Sequence, residues 1–502
     1  MNDTSAPILR HAGVEQPTRA TAYAAMACAA VAVLTAARLM WLAVNTTDLY
    51  PDEAQYWFWA QHLAFGYYSK PPLVAWLIAL TTALFGDSEF AIRLSAPLLH
   101  AAAAGFVYGI GARLYGRRAG FWAALAYATL PGVSLSAFLI STDAVLMPCW
   151  AAALYAFIRA RGESGMRWWI AAGIAVGLGM LAKYAMAYWL MSAFLFVMLV
   201  RGERRHLPGL LLAVAVAALF YLPNLWWNWS HGFASYLHVR DNAELKGALF
   251  HPQALAEFVI SQFLLFGPIL SAWLACFCLR PSRLGATEAR LLTIFALPTL
   301  AIVVVISFLS RAQPNWAAPA YLSAVVLVVV AMLAHGWRRI LIFSAMLNLA
   351  GIAALFATSE EITAGIIPSP SIYDPLHRLR GWHTLGDAVG KALAEHPGLR
   401  LMADDRELLA ALIYYVRPHP FDAVEWNVIP GITDQWRLEN NLKSHRGEDF
   451  LAVTEHSLTE YMRPEFDALT PLETIETTTG PGGGQRYILY IARGYRGDGR
   501  GG

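Results

Sequence analysis

Charge is what this chain has least of: only 14% of its 502 residues are Asp, Glu, Lys or Arg, against 57% hydrophobic. A soluble core cannot hide that much apolar surface, and a mean hydropathy of +0.44 marks an integral membrane protein. An excess of one sign is missing too. Thirty-seven Lys and Arg against 35 Asp and Glu leave a formal net charge of +2, which lacks the basic bias a nucleic-acid binder needs. Cysteine is scarce. Cys28, Cys149, Cys276 and Cys278 all lie in apolar stretches without metal-ligand spacing, so they neither form a zinc motif nor report a redox compartment. The sequence has no Gly-rich phosphate loop and no nucleophile elbow, which argues against nucleotide-driven chemistry.

Long apolar runs are what the chain has in abundance. Residues 1–20 are polar and read as a disordered cytoplasmic tail leading into the run Ala22 to Val44, long enough to span a bilayer. Arg38 near its outer end can snorkel, so the run reads as an anchor and not as a removable signal peptide. Ten more runs follow near 91–112, 119–139, 143–158, 168–182, 184–200, 207–225, 257–279, 289–309, 316–334 and 340–357. Together they predict a polytopic α-helical bundle of about 11–13 spans.

Residues 71–86 are apolar but short, and they open on Pro71-Pro72. If they do not cross, the arginine clusters 113/117/118, 159/161/167, 201/204/205, 280/283/290 and 338/339 all share the side of the N-terminal tail, as the positive-inside rule requires. The segment therefore reads as a juxtamembrane or re-entrant helix starting at its prolines. The same topology puts Asp52, Glu53, Lys70, Asp87, Glu89, Asp143, Lys183, Asn228, His231, Arg240, Arg311 and Asn315 on the opposite, extracytoplasmic face. A one-sided polar cluster at many helix ends is how a membrane active site is assembled.

The domain plan is a tail over 1–20, a transmembrane catalytic domain over 21–357 with an outer loop at 45–90, and a soluble α/β domain over 358–502. In that last domain helix-like stretches 384–396 and 404–415 alternate with strand-like 399–402, 450–454 and 486–491, and odd helix parity puts it outside. Its glycine-rich end, 494–502, is expected to fray.

Each candidate residue has a plain reading beside its functional one. Asp52, after Pro51, either caps the helix-like stretch 53–63 or acts as a general base on an acceptor hydroxyl, a role that contributes roughly 10²–10⁴ in rate. Glu53 points elsewhere on that helix and positions substrate or Asp52. Asp143, in Ser141-Thr142-Asp143, caps its helix or joins the polar face, where two carboxylates can orient a sugar, hold a divalent cation or bias one another. Lys183 either snorkels at a turn between helices or binds phosphate. Lys70 is the sharper phosphate ligand, because the diproline after it stiffens the backbone. Arg93 and Arg311 are further phosphate candidates, and Asn228 and His231 contact substrate or only shape their loop.

The motifs Asp52-Glu53-Ala54 with Tyr56-Trp57, Gly66-Tyr67-Tyr68-Ser69-Lys70-Pro71-Pro72-Leu73, Ala83 to Glu89, and Arg117-Arg118-Ala119-Gly120 resemble those of membrane glycosyltransferases of the GT-C fold. The nearest likeness is to the bacterial group related to protein O-mannosyltransferases and to the aminoarabinose transferase that modifies lipid A. Thr142-Asp143-Ala144, Leu181-Ala182-Lys183-Tyr184, Trp227-Asn228 with His231-Gly232, Pro314-Asn315-Trp316 and Leu379 to Trp382 are similar to later stations of the pattern. The resemblance covers residues 40–320 well and the C-terminal module loosely.

It implies a polyprenyl-phosphate sugar donor, an inner-membrane enzyme with a periplasmic active site, and an acidic base in the first outer loop, falling on Asp52. Lys70 matches the lysine near the donor phosphate, with Lys183, Arg93 and Arg311 in support. Asp143 and Glu53 complete the acidic set, and Tyr68, Asn228, His231 and Asn315 contact substrate. The acceptor is lipid A, lipopolysaccharide or another envelope glycolipid, or alternatively a polypeptide. A monomer is expected and a divalent cation is left open. The competing class, a lipid flippase or transporter, predicts an inverted repeat and broken-helix pairs at matching positions, and the sequence offers neither.

Overall fold

The computed structural model describes residues 17–163, 165–242, 249–278, 287–367, 374, 376–426, 431–457, 459–480 and 483–497. Most of the expected N-terminal tail, Arg280, Arg283 and the last glycines lie outside these residues. The apolar runs fold as helices, the arrangement that satisfies every backbone N–H and C=O inside a segment. Among the described residues, six are long and apolar enough to cross a membrane: Thr21–Val44, Glu89–Tyr115, Thr142–Gly162, Glu203–Ser230, Thr287–Leu309 and Arg338–Thr363. A seventh arises if Pro252–Phe266 and Pro268–Cys278, bent by 117°, form one span. The bend sits at Gly267, whose φ of +84° suits glycine, with Pro268 behind it.

The other expected runs are shorter. Arg167–Ala182, Tyr184–Leu199 and Ala320–Ala334 are apolar helices below full spanning length, and the run at 119–139 breaks into Arg117–Ala128 and Pro131–Ser136, where Pro131 starts a new helix. Among the described residues, six or seven helices thus have the length and composition of a full span, against the 11–13 spans expected from the apolar runs. Leu73–Phe85 is a 13-residue helix, roughly 20 Å at 1.5 Å per residue. That is too short for a hydrocarbon layer of about 30 Å.

The chain forms two compact units. The first comprises Met1–Val44, Lys70–Val74 and Arg93–Ala353. Its helices approach closely where small residues permit it. On Arg167–Ala182, a Cβ at Gly173 would lie 2.6 Å from the Ala213 carbonyl and one at Gly177 2.6 Å from Phe220 Cβ, so Leu207–Ser230 packs against bare backbone. An aromatic core of Phe157, Trp189, Phe196 and Phe295 fills the neighbouring space, with ring centroids 5.4–6.0 Å apart.

The second unit comprises Asn45–Ser69, Ala75–Ile92 and Ala354–Gly502. It contains a sheet of β1 (Arg400–Ala403), β2 (Val424–Glu425), β3 (Phe450–Thr454), β4 (Phe466–Gly480) and β5 (Gly483–Tyr495) in the order β2-β1-β3-β5-β4. β1 runs parallel to β2 and β3, while β5 is antiparallel to β3 and β4. Helices Trp382–Glu395 and Arg406–Tyr415 flank β1, as their sequence pattern predicts. Of the outer loop expected at 45–90, Lys70–Val74 fall in the first unit, while residues Asn45–Ser69 and those from Ala75 onward fall in this one. Its helix Pro51–Gln61 sets Trp57 edge-on to Tyr414 at 4.9 Å and Phe58 against Trp436 at 5.0 Å. The backbone N–H of Leu49 donates to Tyr415 Oη at 2.6 Å.

Candidate functional site

In the first unit the sequence brings three candidates together. Ser141, in extended conformation, caps the helix Thr142–Gly162 by accepting the Ala144 N–H at 3.4 Å. Asp143 is thereby freed from the capping role it was a candidate for, and lies in the first helical turn, where the dipole favours a carboxylate. Lys183 ends the helix Arg167–Ala182 and donates its backbone N–H to the Gly179 carbonyl at 2.9 Å, a position that favours a cation. The side chains meet: Lys183 Nζ donates to Asp143 Oδ1 at 2.7 Å and Oδ2 at 2.9 Å. Asn315, from the turn Pro314–Ala317, donates Nδ2 to Asp143 Oδ2 at 2.6 Å. The pair is nearly dry, with the lysine side chain 16% and the aspartate 8% exposed. Such a pair holds an ammonium ready in an apolar bundle and lets an arriving anion compete with Asp143 for it.

Further candidates of this unit make contacts of their own. Asn228 is fully buried on Leu207–Ser230 and donates Nδ2 to the Asn224 carbonyl at 3.1 Å and to Tyr184 Oη at 3.4 Å, while its Oδ1 has no partner among the described residues. A buried acceptor left unpaired costs roughly 1–3 kcal/mol and suits a hydroxyl-bearing ligand. His231 is the C-cap of that helix, its ring stacked on Trp227 at 4.1 Å with Nδ1 2.8 Å from the Trp227 carbonyl. Arg93 is buried, its guanidinium 5.4 Å from the Phe138 ring centroid. Lys70 is half-buried just before Leu73–Phe85, and Arg311 is exposed.

In the second unit Tyr50 is the N-cap of Pro51–Gln61 and Pro51 its first residue. Glu53 Oε2 accepts the Tyr50 N–H at 2.9 Å, the return half of a capping box, so the buried Glu53 fixes the helix start and Asp52 does not cap it. Asp52 instead accepts from Arg406 Nη1 at 3.2 Å, and the same Nη1 donates to Gln55 Oε1 at 2.6 Å. Arg378 pairs with Glu407 and donates to Tyr50 Oη. Burial works against the Arg406 charge, but Asp52, Asp405 and Tyr56 raise the guanidinium above its ordinary value. Burial likewise raises the Tyr50 phenol, with Arg378 opposing. Tyr68 donates its backbone N–H to Gln435 Oε1 at 2.6 Å and its hydroxyl to the Ile432 carbonyl at 3.1 Å.

Arg406, Gln55 and Gln435 are the residues sequence reasoning missed. Arg406 lies 354 positions from Asp52, and the one local signal, an arginine after an Asp-Asp helix start, names no partner. Among the described residues no group of three or more His, Cys, Asp or Glu side chains is arranged to hold a metal ion.

Three comparisons bear on these arrangements. A family profile described as dolichyl-phosphate-mannose-protein mannosyltransferase matches residues 69–227. The lipid A galacturonosyltransferase RgtD of Rhizobium johnstonii is 33% identical over 384 residues, which is 76% of this chain and 80% of the relative. The undecaprenyl phosphate-alpha-4-amino-4-deoxy-L-arabinose arabinosyl transferase of Pseudomonas savastanoi is 27% identical over 198 residues, 34% of this chain and 36% of that one. Among solved structures, ArnT from Cupriavidus metallidurans bound to undecaprenyl phosphate superposes with a TM-score of 0.59 at 16% identity, covering 94% of this chain and 98% of its own. That last likeness speaks to the fold.

Proposed function

The chain belongs to the GT-C family of membrane glycosyltransferases, and from that premise we propose that it moves galacturonic acid from a polyprenyl-phosphate donor to lipid A or lipopolysaccharide. That it is a multi-pass membrane glycosyltransferase follows from its relatives and its apolar helices. The observation that carries the finer reading is the relationship to a lipid A galacturonosyltransferase across most of both chains. The donor class is supported by the undecaprenyl phosphate bound in the ArnT structure of like fold. The positive-inside pattern supports an inner-membrane enzyme with the acidic loop and the C-terminal domain facing the periplasm.

The chemistry is a single displacement. The acceptor hydroxyl oxygen attacks the anomeric carbon, its proton passes to Asp52, and the bond from that carbon to the phosphate oxygen breaks, with inversion. Prenyl phosphate leaves with the electron pair. Charge grows on that phosphate, so cations placed there lower the barrier. Lys183, held beside Asp143 by a pair that an anion can exchange into, is the best-supported ligand, with Lys70, Arg93 and Arg311 as further cations. Asn228 and Asn315 offer amide contacts to sugar hydroxyls, as does Tyr68; His231 is the weakest of the set, being tied to Trp227. Glu53 acts by fixing the helix that carries Asp52.

The test is lipid mass spectrometry of membranes from cells with the protein, without it, and with Asp52→Asn. A gain of one hexuronic acid on lipid A or the lipopolysaccharide core, lost in both defective strains while the donor lipid accumulates, is the expected result. Asp52→Asn should keep donor binding. A sugar missing from a glycoprotein instead would favour the polypeptide acceptor suggested by the mannosyltransferase profile, and redistribution of an intact lipid between leaflets would make the protein a flippase.

A further inference from the structure

Arg406 reaches its place through the logic of the sheet. β1 ends at Ala403, and the chain turns through Asp404 and Asp405. Asp405 caps the next helix by accepting the N–H groups of Glu407 at 2.7 Å and Leu408 at 3.3 Å. Arg406 is therefore the first helical residue of Arg406–Tyr415, held between a strand and a capped helix. From there Nη1 donates to Asp52 Oδ1 at 3.2 Å and Gln55 Oε1 at 2.6 Å, and Nη2 to Glu407 Oε1 at 3.2 Å. Asp52 and Gln55 are three apart and so share one helix face. Arg378 ties Glu407 to the hydroxyl of Tyr50, the N-cap of that same helix.

We propose that Arg406, a residue of the C-terminal α/β segment, is the positioning residue of Asp52, an inference that rests on the reading of Asp52 as the base. The ion pair is half-exposed, with side-chain exposures of 36% and 39%, and such pairs stabilise a fold little. Its consequence is orientation. One carboxylate oxygen is pinned by a guanidinium that is itself held by Gln55 and Glu407, and Oδ2 has no hydrogen bond among the described residues. That oxygen is the one left to accept the proton. The fork shape of the guanidinium matters, because one cation satisfies Asp52, Gln55 and Glu407 from a single plane, which an ammonium cannot do.

The experiment uses the full-length enzyme in detergent or vesicles with a polyprenyl-phosphate sugar as donor. Wild type, Arg406→Ala, Arg406→Lys and Asp52→Asn are compared for kcat, donor KM and response to added guanidinium ion. Loss of orientation at a catalytic group costs about 10²-fold in rate. Arg406→Ala should therefore lose kcat by about that factor with donor KM unchanged, guanidinium should restore part of the loss, and Arg406→Lys should fall between. Guanidinium should do nothing for Asp52→Asn. An inactive Asp52→Asn beside a fully active Arg406→Ala overturns the positioning role and leaves the base standing. An active Asp52→Asn removes the base and this inference with it. A loss of Arg406→Ala carried by KM, or one that guanidinium does not restore, also overturns the proposal and makes Arg406 a substrate-binding or folding residue.

Discussion

Replacing Lys183 by Met should unfold the bundle more readily than replacing Lys183 and Asp143 together. The side chains are 16% and 8% exposed, and Nζ lies 2.7 Å and 2.9 Å from the two carboxylate oxygens. Removing one member of a buried pair leaves an uncompensated charge, a loss of about 3–5 kcal/mol. Two features hold Asp143 toward the lower end of that range. Asn315 keeps its 2.6 Å bond to Oδ2, and the helix N-terminus still favours a negative charge by about 0.3–1 kcal/mol. We therefore expect about 3 kcal/mol for Lys183→Met. The double variant Asp143→Asn, Lys183→Met removes both charges and keeps the shape, and should lie within about 1 kcal/mol of wild type. Because two units need not unfold together, the assay is the rank of apparent Tm in detergent, paired with donor-lipid binding. If Lys183 grips phosphate, the double variant is stable and binds donor weakly. A single variant as stable as the double would refute the buried-charge argument, and a double variant that binds donor as wild type would refute the phosphate role.

Other consequences follow from single groups. Burial pushes the Asp404 carboxyl up to about 7, aided by Asp405 and Glu455, and its Oδ1 has no partner among the described residues. The folded state therefore holds a proton that the unfolded chain has lost above its ordinary value near 3.8. The contribution of Asp404 to stability should be full below that value and decline as pH rises toward 7, by no more than about 4 kcal/mol at roughly 1.4 kcal/mol per unit. Asp404→Asn should flatten this slope in a pH series of thermal melts, and an unchanged slope would remove Asp404 as its source. Gly173→Ala places a Cβ 2.6 Å from the Ala213 carbonyl and should destabilise by about 1–3 kcal/mol. Gly105→Ala, with nothing within 4 Å, should leave the apparent Tm unchanged, and equal behaviour of the two would refute the close-packing argument.

The apolar runs were legible because length and hydropathy suffice to mark a helix that must satisfy its own backbone in lipid. What they did not carry was which runs span. Pro131 and the Gly267-Pro268 pair interrupt two of them, and others are shorter than the hydrocarbon. In the C-terminal segment β1, β3 and β5 stand out as continuous or alternating apolar runs. β4 does not, because Pro471 inside it argues against a strand. The structure accommodates that proline at a register shift on the edge of the sheet. β2 is two residues long and, among the described residues, pairs with β1 alone, so no periodicity announces it.

The candidate site was legible to the extent that helix chemistry decides it. Ser141-Thr142-Asp143 offers three capping residues, and the one with extended backbone, Ser141, takes the cap, which leaves Asp143 for Lys183. The same choice recurs at Asp52-Glu53. Adjacent helical residues point about 100° apart, and in a capping box the reciprocal acid belongs three residues after the cap. Pro51 occupies the first position, so Glu53 is that third residue and binds the Tyr50 N–H, while Asp52 faces the side that Arg406 reaches. Had the helix started one residue earlier, Asp52 would be the third residue and would take the capping-box place that Glu53 holds. Moving the acid pair by one residue is therefore expected to cost activity even with both carboxylates present.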